Sequence, residues 1–549
     1  MCGIFFVQSK SDLKTLHSNG VEGIHASFNS FEQRGPDRHE LLYKRNKDIH
    51  TFIGFHRLAI NGLDIKSDQP MMIETSLGRL YFVCNGEIYN YKQLAVEFNI
   101  ELTSGSDCEI IPRLFLKIGI RETIQRLDGV FAFILSYNDR IYIGRDPIGV
   151  RPLFILWGIH SVVLSSVASG CMGFNIQGSV KQVPPGTLTE MNISGKDATS
   201  QLYYWWEPPK VVERPAPLKS QNLSAVIRKQ LIRATQKRLM SERPIGCLLS
   251  GGLDSSVIAS ILSRQVTNLQ TFSIGFSADS TDLKAARKVA QYLGTVHNEV
   301  IIPYSKALEA IPRVIQSLET FDITTIRASV GMFLLSEWIK ENSDVVVLYS
   351  GEGSDELFCG YLYFHGAPNF VSLEKESRRL LNELHLYDVL RADRTTASHG
   401  LELRVPFLDK CLIELVTRLP GEYRHPHQPN EERTQMEKLL LRKAFAKDLP
   451  ESIVWRRKEG FSDGVSSLEK SWYTVIQEHV ESLISDAELE TAKGQESNFA
   501  PITKESVWYI KIFDEKFPNF RNSLKKYWMP QWTDTNDPSG RATNAFDEK

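Results

Sequence analysis

Apolar residues along this chain fall into two textures that change near residue 206. Before that point they come in short runs separated by turn residues. Leu80–Cys84 ends at Asn85-Gly86, and Val130–Ser136 and Ile141–Gly144 flank Asn138-Asp139-Arg140. The first pattern predicts a strand closed by a tight turn, the second an antiparallel hairpin. Several runs are apolar at successive positions, so both faces of their sheet should be covered. Beyond 206 the order becomes strand, loop, helix. Ile245–Leu249, Thr271–Phe276 and Val345–Tyr349 read as buried strands, and Ser255–Leu262 begins a helix. Asp282 is placed to cap a helix whose Leu283, Ala286, Ala290 and Leu293 share one face and which Gly294 ends. Such alternation predicts an α/β unit with a parallel sheet. Between the textures, Glu207-Pro208-Pro209 through Pro215-Ala216-Pro217 is proline-rich and charged. The expected division is therefore a first domain over 2–206, a linker over 207–222, a second domain over 223–529 and a tail over 530–549.

Composition narrows the setting. A chain of 549 residues can hold two to four domains, each with a substantial core. A net charge of -2, with 24% charged residues, leaves no basic footprint for nucleic acid. The longest apolar stretch, Leu153–Leu164, is broken by Gly158 and His160 and is too short for a bilayer. Seven cysteines at irregular spacings, with no C-x-x-C, argue against a disulfide framework and a structural zinc site. No basic segment precedes an apolar run at the start, so no secretory signal is expected and the cytoplasm is the simplest location.

Three strings carry chemistry. The first is Met1-Cys2-Gly3-Ile4. Initiator methionine is usually removed before a small residue, which would make Cys2 the new terminus. A terminal cysteine combines a nucleophilic thiolate with an α-amine, titrating near pKa ~8, that can relay its proton. The second is Ser250-Gly251-Gly252-Leu253-Asp254-Ser255-Ser256, between a predicted strand and helix. Free backbone N–H groups and the helix dipole favour an anion there, and the glycines admit a phosphate closely. It lacks the Gly-Lys-Ser/Thr ending of a P-loop, and Asp254 can instead hold Mg²⁺ on a pyrophosphate. The third is Ser350-Gly351-Glu352-Gly353-Ser354-Asp355-Glu356, again after a buried strand. Loops at the carboxyl ends of parallel strands can face one crevice, and three carboxylates beside a polyphosphate call for a divalent cation.

With these strings in view, the chain resembles the glutamine-hydrolysing asparagine synthetases of the class B type over nearly its whole length. Further matching strings are Arg34-Gly35-Pro36-Asp37, His56-Arg57-Leu58-Ala59-Ile60, Asn85-Gly86-Glu87-Ile88-Tyr89-Asn90, Ser106-Asp107-Cys108-Glu109 and Arg145-Asp146-Pro147-Ile148-Gly149. The second half adds Thr324-Thr325-Ile326-Arg327-Ala328-Ser329, Leu401–Asp409, Trp455-Arg456-Arg457-Lys458-Glu459 and the tail string Asp537-Pro538-Ser539-Gly540-Arg541. The resemblance implies an N-terminal-nucleophile glutaminase, a four-layer αββα sandwich, followed by an ATP pyrophosphatase-type synthetase domain. Cys2 would attack the side-chain amide of glutamine. Arg57 would take the substrate carboxylate, Glu87 and Asp107 its ammonium, and Asn85 with Gly86 the oxyanion. In the second domain aspartate would be adenylated by ATP and then aminolysed. Leu248, Ile274, Ser350 and Gly351 would contact the nucleotide, and Ser250, Gly251, Gly252, Asp254 and Ser255 the pyrophosphate. Asp254 and Asp355 would hold Mg²⁺, Thr324 and Arg327 would touch phosphates, Lys458 would stabilise the leaving pyrophosphate, and Glu352 would act as base.

The family passes ammonia between its two sites, and Arg34 matches a position near the entrance of that passage. A homodimer is a further implication, unsupported by composition. Three positions depart from the family pattern. Gln33 stands for a frequent histidine, Val167 in Ser166-Val167 for a common glutamate, and Cys359 for a glycine. Two other readings keep the same scaffold: an amidotransferase with a different carboxylate acceptor, and a non-catalytic sensing paralogue.

Overall fold

Asn138 and Asp139 turn the chain between strands Gly129–Tyr137 and Arg140–Arg145, both at positive φ, 48° and 61°. That is the backbone a two-residue hairpin loop requires, and the hairpin is as expected. Asn85-Gly86 does the opposite of what its composition suggests. Strand Gly78–Ile88 runs straight through it, with Asn85 opposite Ala132 and Gly86 opposite Phe131. The glycine serves close approach instead of turning: a Cβ there would lie 2.3 Å from the Val130 carbonyl oxygen.

The computed structural model describes residues 1–193, 199–209, 220–426, 436–458, 464–466, 470–494, 500–521 and 527–533. Most of the expected linker (210–219), Glu459 and the tail string 537–541 lie outside them. The chain forms two units. The first comprises Met1–Glu207 together with Met240–Arg243 and Thr396–Glu402. It contains two six-stranded antiparallel sheets. One runs Lys181–Gln182, Phe154–Trp157, Ser161–Ser165, Gly3–Ser9, Ile49–Arg57, Arg38–Asn46. The other runs Thr199–Tyr204, Thr187–Asn192, Arg140–Arg145, Gly129–Tyr137, Gly78–Ile88, Met71–Thr75.

Period-two alternation decides what each face meets. Ile4, Phe6, Ile53 and Phe55 of the first sheet share one buried cluster with Val83, Ala132, Ile134, Ile141 and Ile143 of the second. The sheets therefore face each other. Phe5 points the other way, to Phe28 of helix Gly20–Asn29, with ring centroids 5.9 Å apart. On the far side Phe115 of helix Ile110–Ile118 meets Tyr142 at 5.3 Å. Helix, sheet, sheet, helix is the αββα layering.

The second unit is built on five strands in the order Val296–Ile301, Gln270–Gly275, Ile245–Leu248, Val347–Tyr349, Glu402–Arg404. The first four are parallel. Helix Ser220–Lys237 begins inside the stretch expected as linker. The cap of helix Thr281–Leu293 is Ser280 rather than Asp282. Ser280 Oγ accepts from Leu283 N at 3.3 Å and donates to the Gly464 carbonyl at 2.6 Å. Asp282 sits in the first turn and takes Arg456 at 3.1 Å, while Gly294, at φ 69°, ends the helix as expected. Among the described residues no helix is long and apolar enough to cross a membrane. Ser280→Ala removes the cap and one buried tertiary bond, and should lower unfolding stability by about 1 kcal/mol, read as a lower urea midpoint at unchanged slope.

Candidate functional site

The antiparallel register that sets Gly3 opposite His56 delivers Cys2 beside Leu58. Its Sγ lies 3.5 Å from the Leu58 amide nitrogen and 3.6 Å from the Leu58 carbonyl. Burial pushes the thiol up to about 11 while the terminal ammonium pulls it back. That ammonium belongs to Met1, donates to the Leu401 carbonyl at 3.1 Å and is lowered by burial to about 6. Arg34, itself buried, donates from Nε to the Cys2 carbonyl at 3.1 Å.

Strand Gly78–Ile88 brings the next residues together. Asn85 is buried, and its Nδ2 has no hydrogen-bond partner among the described residues. Gly86, which follows it, accepts from Cys108 Sγ at 3.3 Å. Glu87 pairs with Arg151 at 2.6 Å, and Glu402 lies 3.4 Å from the same guanidinium nitrogen. Asp107 accepts from Ile88 N at 2.6 Å and from Asn61 Nδ2 at 3.5 Å. Arg57 is buried with its terminal nitrogens on the Asp64 carbonyl (2.9 Å), the Gly62 carbonyl and Asp68. Its fork is thus fixed by its own loop rather than free at a surface. Asp146 of the Arg145–Gly149 string is structural. It accepts from the amides of Ile148, Gly149, Val150 and Arg151 at 2.7–3.1 Å.

In the second unit, strands Ile245–Leu248 and Val347–Tyr349 are parallel neighbours, so the loops that follow them emerge at one edge. They line a cavity of about 570 Å³ that also takes in Leu248, Ile274, Thr324, Asp388, Arg391, Lys438 and Lys458. Gly251 holds φ 71°, and a Cβ on it would sit 2.4 Å from Ala286 N. Ser250 and Ser255 share a hydroxyl contact of 3.1 Å, and Gly252 N donates to Ser250 Oγ at 3.3 Å. In the other loop, Glu352 N donates to Ser350 Oγ at 3.3 Å. A Cβ on Gly351 would lie 2.8 Å from Asp254 Cβ, so the two loops approach within contact.

Charge is concentrated where they meet. Lys438 Nζ lies 2.7 Å from both Asp254 Oδ2 and Asp355 Oδ1, and Lys458 Nζ 2.8 Å from Asp355 Oδ2. Burial raises the Asp355 carboxyl, but the two ammonium groups outweigh it and hold it well below the usual range. Burial likewise opposes the charge of Lys458, and Asp355 and Asp254 overcome it. Glu352 is raised by burial, against the pull of Arg391, whose Nη2 is 2.9 Å away. Glu356 turns inward to the Tyr361 hydroxyl at 2.5 Å and is pushed by burial, with Asp388 and Asp355 adding, to about 8. The acidic loop is therefore not a solvated turn.

Thr324 lines the cavity with its buried Oγ1 lacking a partner among the described residues. Arg327, expected at the phosphates, does not line this cavity. Its guanidinium is buried in a two-armed pair with Glu505, Nε at 2.8 Å, and lies over the Tyr473 ring. A buried carboxylate on an adjoining helix has claimed it.

Residues 1–203 match the glutamine amidotransferase domain family, and residues 226–379 and 371–535 match asparagine synthase. The chain is 41% identical over 572 residues to the asparagine synthetase [glutamine-hydrolyzing] of Mesocricetus auratus. It is 40% identical to those of Gallus gallus and Homo sapiens, over 574 and 572 residues. In each case the match covers 100% of this chain and 99% of the relative. The chain belongs to the glutamine-hydrolysing asparagine synthetases.

For this family member the structure adds groups that reading along the chain did not single out. Lys438 binds both loop aspartates, yet no local string announces it, and it takes a left-handed φ of 59° to reach them. Arg391 donates to Asp388 at 3.0 Å as well as to Glu352, and its Nη1 is buried without a partner among the described residues. Arg151 lies just past the Asp146 string, and Glu402 inside the Leu401–Asp409 string, but neither carried a local sign of its use. Of the departures, Cys359 occupies a left-handed φ of 54°, where glycine is easiest, and is fully buried. Ser166 Oγ accepts from Ile4 N at 3.0 Å, and Val167 is buried beside it.

Lys438→Met would leave Asp254 and Asp355 short of a buried cation and should destabilise the fold by about 3 kcal/mol near neutral pH. Asp355 is held below its ordinary value of 3.8, so its charge contributes stability above that value, lost as pH falls through the folded value. In the variant its carboxyl rises toward the ordinary value, so the stability gap to the parent should stay level from about pH 7 to about pH 4.5 and narrow as pH falls below about 4, measured by denaturant unfolding at each pH.

Proposed function

We propose that the chain converts ATP, L-aspartate, L-glutamine and water to AMP, diphosphate, L-asparagine and L-glutamate. The observation that carries this is the buried set of Asp254, Asp355, Lys438 and Lys458 sharing one cavity with Glu352, in a full-length relative of the synthetases.

In the first unit, with Met1 removed, the Cys2 α-amine takes the thiol proton and the sulfur attacks the glutamine side-chain carbonyl. Asn85 Nδ2, buried and without a partner among the described residues, receives the oxyanion together with the Gly86 backbone. The C–N bond breaks, ammonia leaves with the relayed proton, and water later cleaves the glutamyl thioester. Arg57 takes the α-carboxylate, and Glu87 and Asp107 the α-ammonium.

In the second unit, the aspartate β-carboxylate attacks the α-phosphorus of ATP and pyrophosphate departs. Leu248, Ile274, Ser350 and Gly351 flank the nucleotide. Ser250, Gly251, Gly252 and Ser255 offer backbone and hydroxyl donors to the phosphates, with Thr324 Oγ1 beside them. Lys458 and Lys438 balance the charge of the leaving group. Arg391 Nη1, without a partner among the described residues, is a donor for the acceptor's other carboxylate. Glu352, kept less acidic by burial, removes a proton from ammonia as it attacks the acyl carbon and AMP leaves.

Asp254 and Asp355 fit Mg²⁺, since both point hard oxygens at the single Lys438 Nζ. Two carboxylates plus substrate phosphates are how that ion is usually bound, and it would neutralise polyphosphate charge there. A cytoplasmic homodimer using no nucleic acid or membrane completes the reading. A different carboxylate acceptor and a non-catalytic role are the competing readings. Retention of Cys2, Asp254, Glu352, Asp355 and Lys458 together speaks against the latter.

Incubation with ATP, Mg²⁺, aspartate and glutamine should yield asparagine and AMP. Another amidated product, or ADP, would refute the proposal. Cys2→Ala should abolish synthesis from glutamine and spare synthesis from ammonium salts. Glu352→Gln should depress synthesis from both nitrogen sources by ~10²–10⁴-fold while glutamine hydrolysis persists; equal loss of hydrolysis would refute that role.

A further inference from the structure

Arg151 is almost fully buried between two carboxylates that are themselves buried, with side-chain exposures of 1%, 6% and 3% for Arg151, Glu87 and Glu402. Its Nη2 lies 2.6 Å from Glu87 Oε2 and 3.4 Å from Glu402 Oε2. Glu87 belongs to the strand that carries Asn85, whereas Glu402 arrives on Thr396–Glu402, more than half the chain away in sequence. That segment is seated in the first unit at two further points. While Met1 is present its ammonium donates to the Leu401 carbonyl at 3.1 Å, and Gly400, at φ 65°, packs where a Cβ would lie 3.0 Å from Pro36 Cγ.

We propose that Arg151 and Glu402 are positioning residues for glutamine recognition, holding Glu87 so that its second oxygen meets the substrate's α-ammonium. This rests on the reading of Glu87 given above. The physical reason is preorganisation. A lone buried glutamate can rotate or take up a proton, whereas one oxygen clamped by a guanidinium fixes the direction of the other. Glu402 has a separate task. It shares the guanidinium, so Arg151 does not neutralise Glu87 outright, and Glu87 keeps negative charge for an incoming cation. An ammonium placed on that oxygen is recognised by charge and direction together. An otherwise identical amide lacking the amine gains nothing from the arrangement.

The test uses the full-length protein and two amides, glutamine and 4-carbamoylbutanoate, which is glutamine without its α-amine. In Glu402→Gln and in Arg151→Lys, KM for glutamine hydrolysis should rise roughly tenfold with kcat within about threefold. KM for the deaminated amide should stay within about twofold, so discrimination between the two collapses. Synthesis from ammonium salts reports that the fold is intact, and Arg151→Lys carries the test if Glu402→Gln loses it. Equal changes for both amides, or none for glutamine, would overturn the proposal. Glu87→Gln separates the two layers. If it leaves discrimination unchanged, the assignment of Glu87 is wrong; if it abolishes discrimination while both other variants preserve it, the positioning role alone is wrong.

Discussion

Two aspartates and two lysines, mutually paired and removed from most water, are the constraint on which the second unit turns. Each such ion is expensive to desolvate, and the set is tolerable only because every charge has a partner within about 3 Å. Partnering requires the Ser250 and Ser350 loops to meet, which in turn requires their strands to be adjacent and parallel. The glycines follow from the same demand. Gly251 and Gly351 stand where any side chain would strike the neighbouring backbone or Asp254. On the proposed reading, a site for a highly charged polyphosphate is thus held in readiness by charges that already neutralise one another.

The first unit obeys a different constraint, the strand register that sets residue 2 beside Leu58. On the proposed reading a nucleophile there needs no histidine, because its own terminus would supply the amine. With Met1 attached, the amine belongs to the wrong residue and the thiol is raised to about 11 by burial. On that reading, removing Met1 would give the amine to Cys2 and open the space that the buried methionine fills.

Much of this was legible in the residues. The alternating runs showed the hairpin at Asn138-Asp139 and the parallel strands before each glycine loop, because a period of two and a strand-to-helix switch are local properties. Asn85-Gly86 misled for the same reason: its composition says turn, but strand pairing with Ala132 and Phe131 overrules it. Ser280 outcompeted Asp282 as cap because its hydroxyl also reaches Gly464, a contact 184 residues distant. Lys438, Arg391 and Glu402 left no local trace, since each acts on residues brought near only by folding. Arg327 sits in a string that matches the family, yet its partner Glu505 lies 178 residues on, beyond the reach of any local pattern.

The first unit does not end where its uninterrupted stretch of chain ends. Glu242 accepts the Gly62 amide at 2.6 Å, and residues 396–402 supply a carboxylate and a carbonyl to its interior. A fragment stopped after position 207 would take away the acceptors that the Gly62 amide, the Met1 ammonium and the Arg151 guanidinium meet there. Gene truncation and structural autonomy therefore part company here. A freely cloned amino-terminal half would be an incomplete object, however natural its boundary looks on paper.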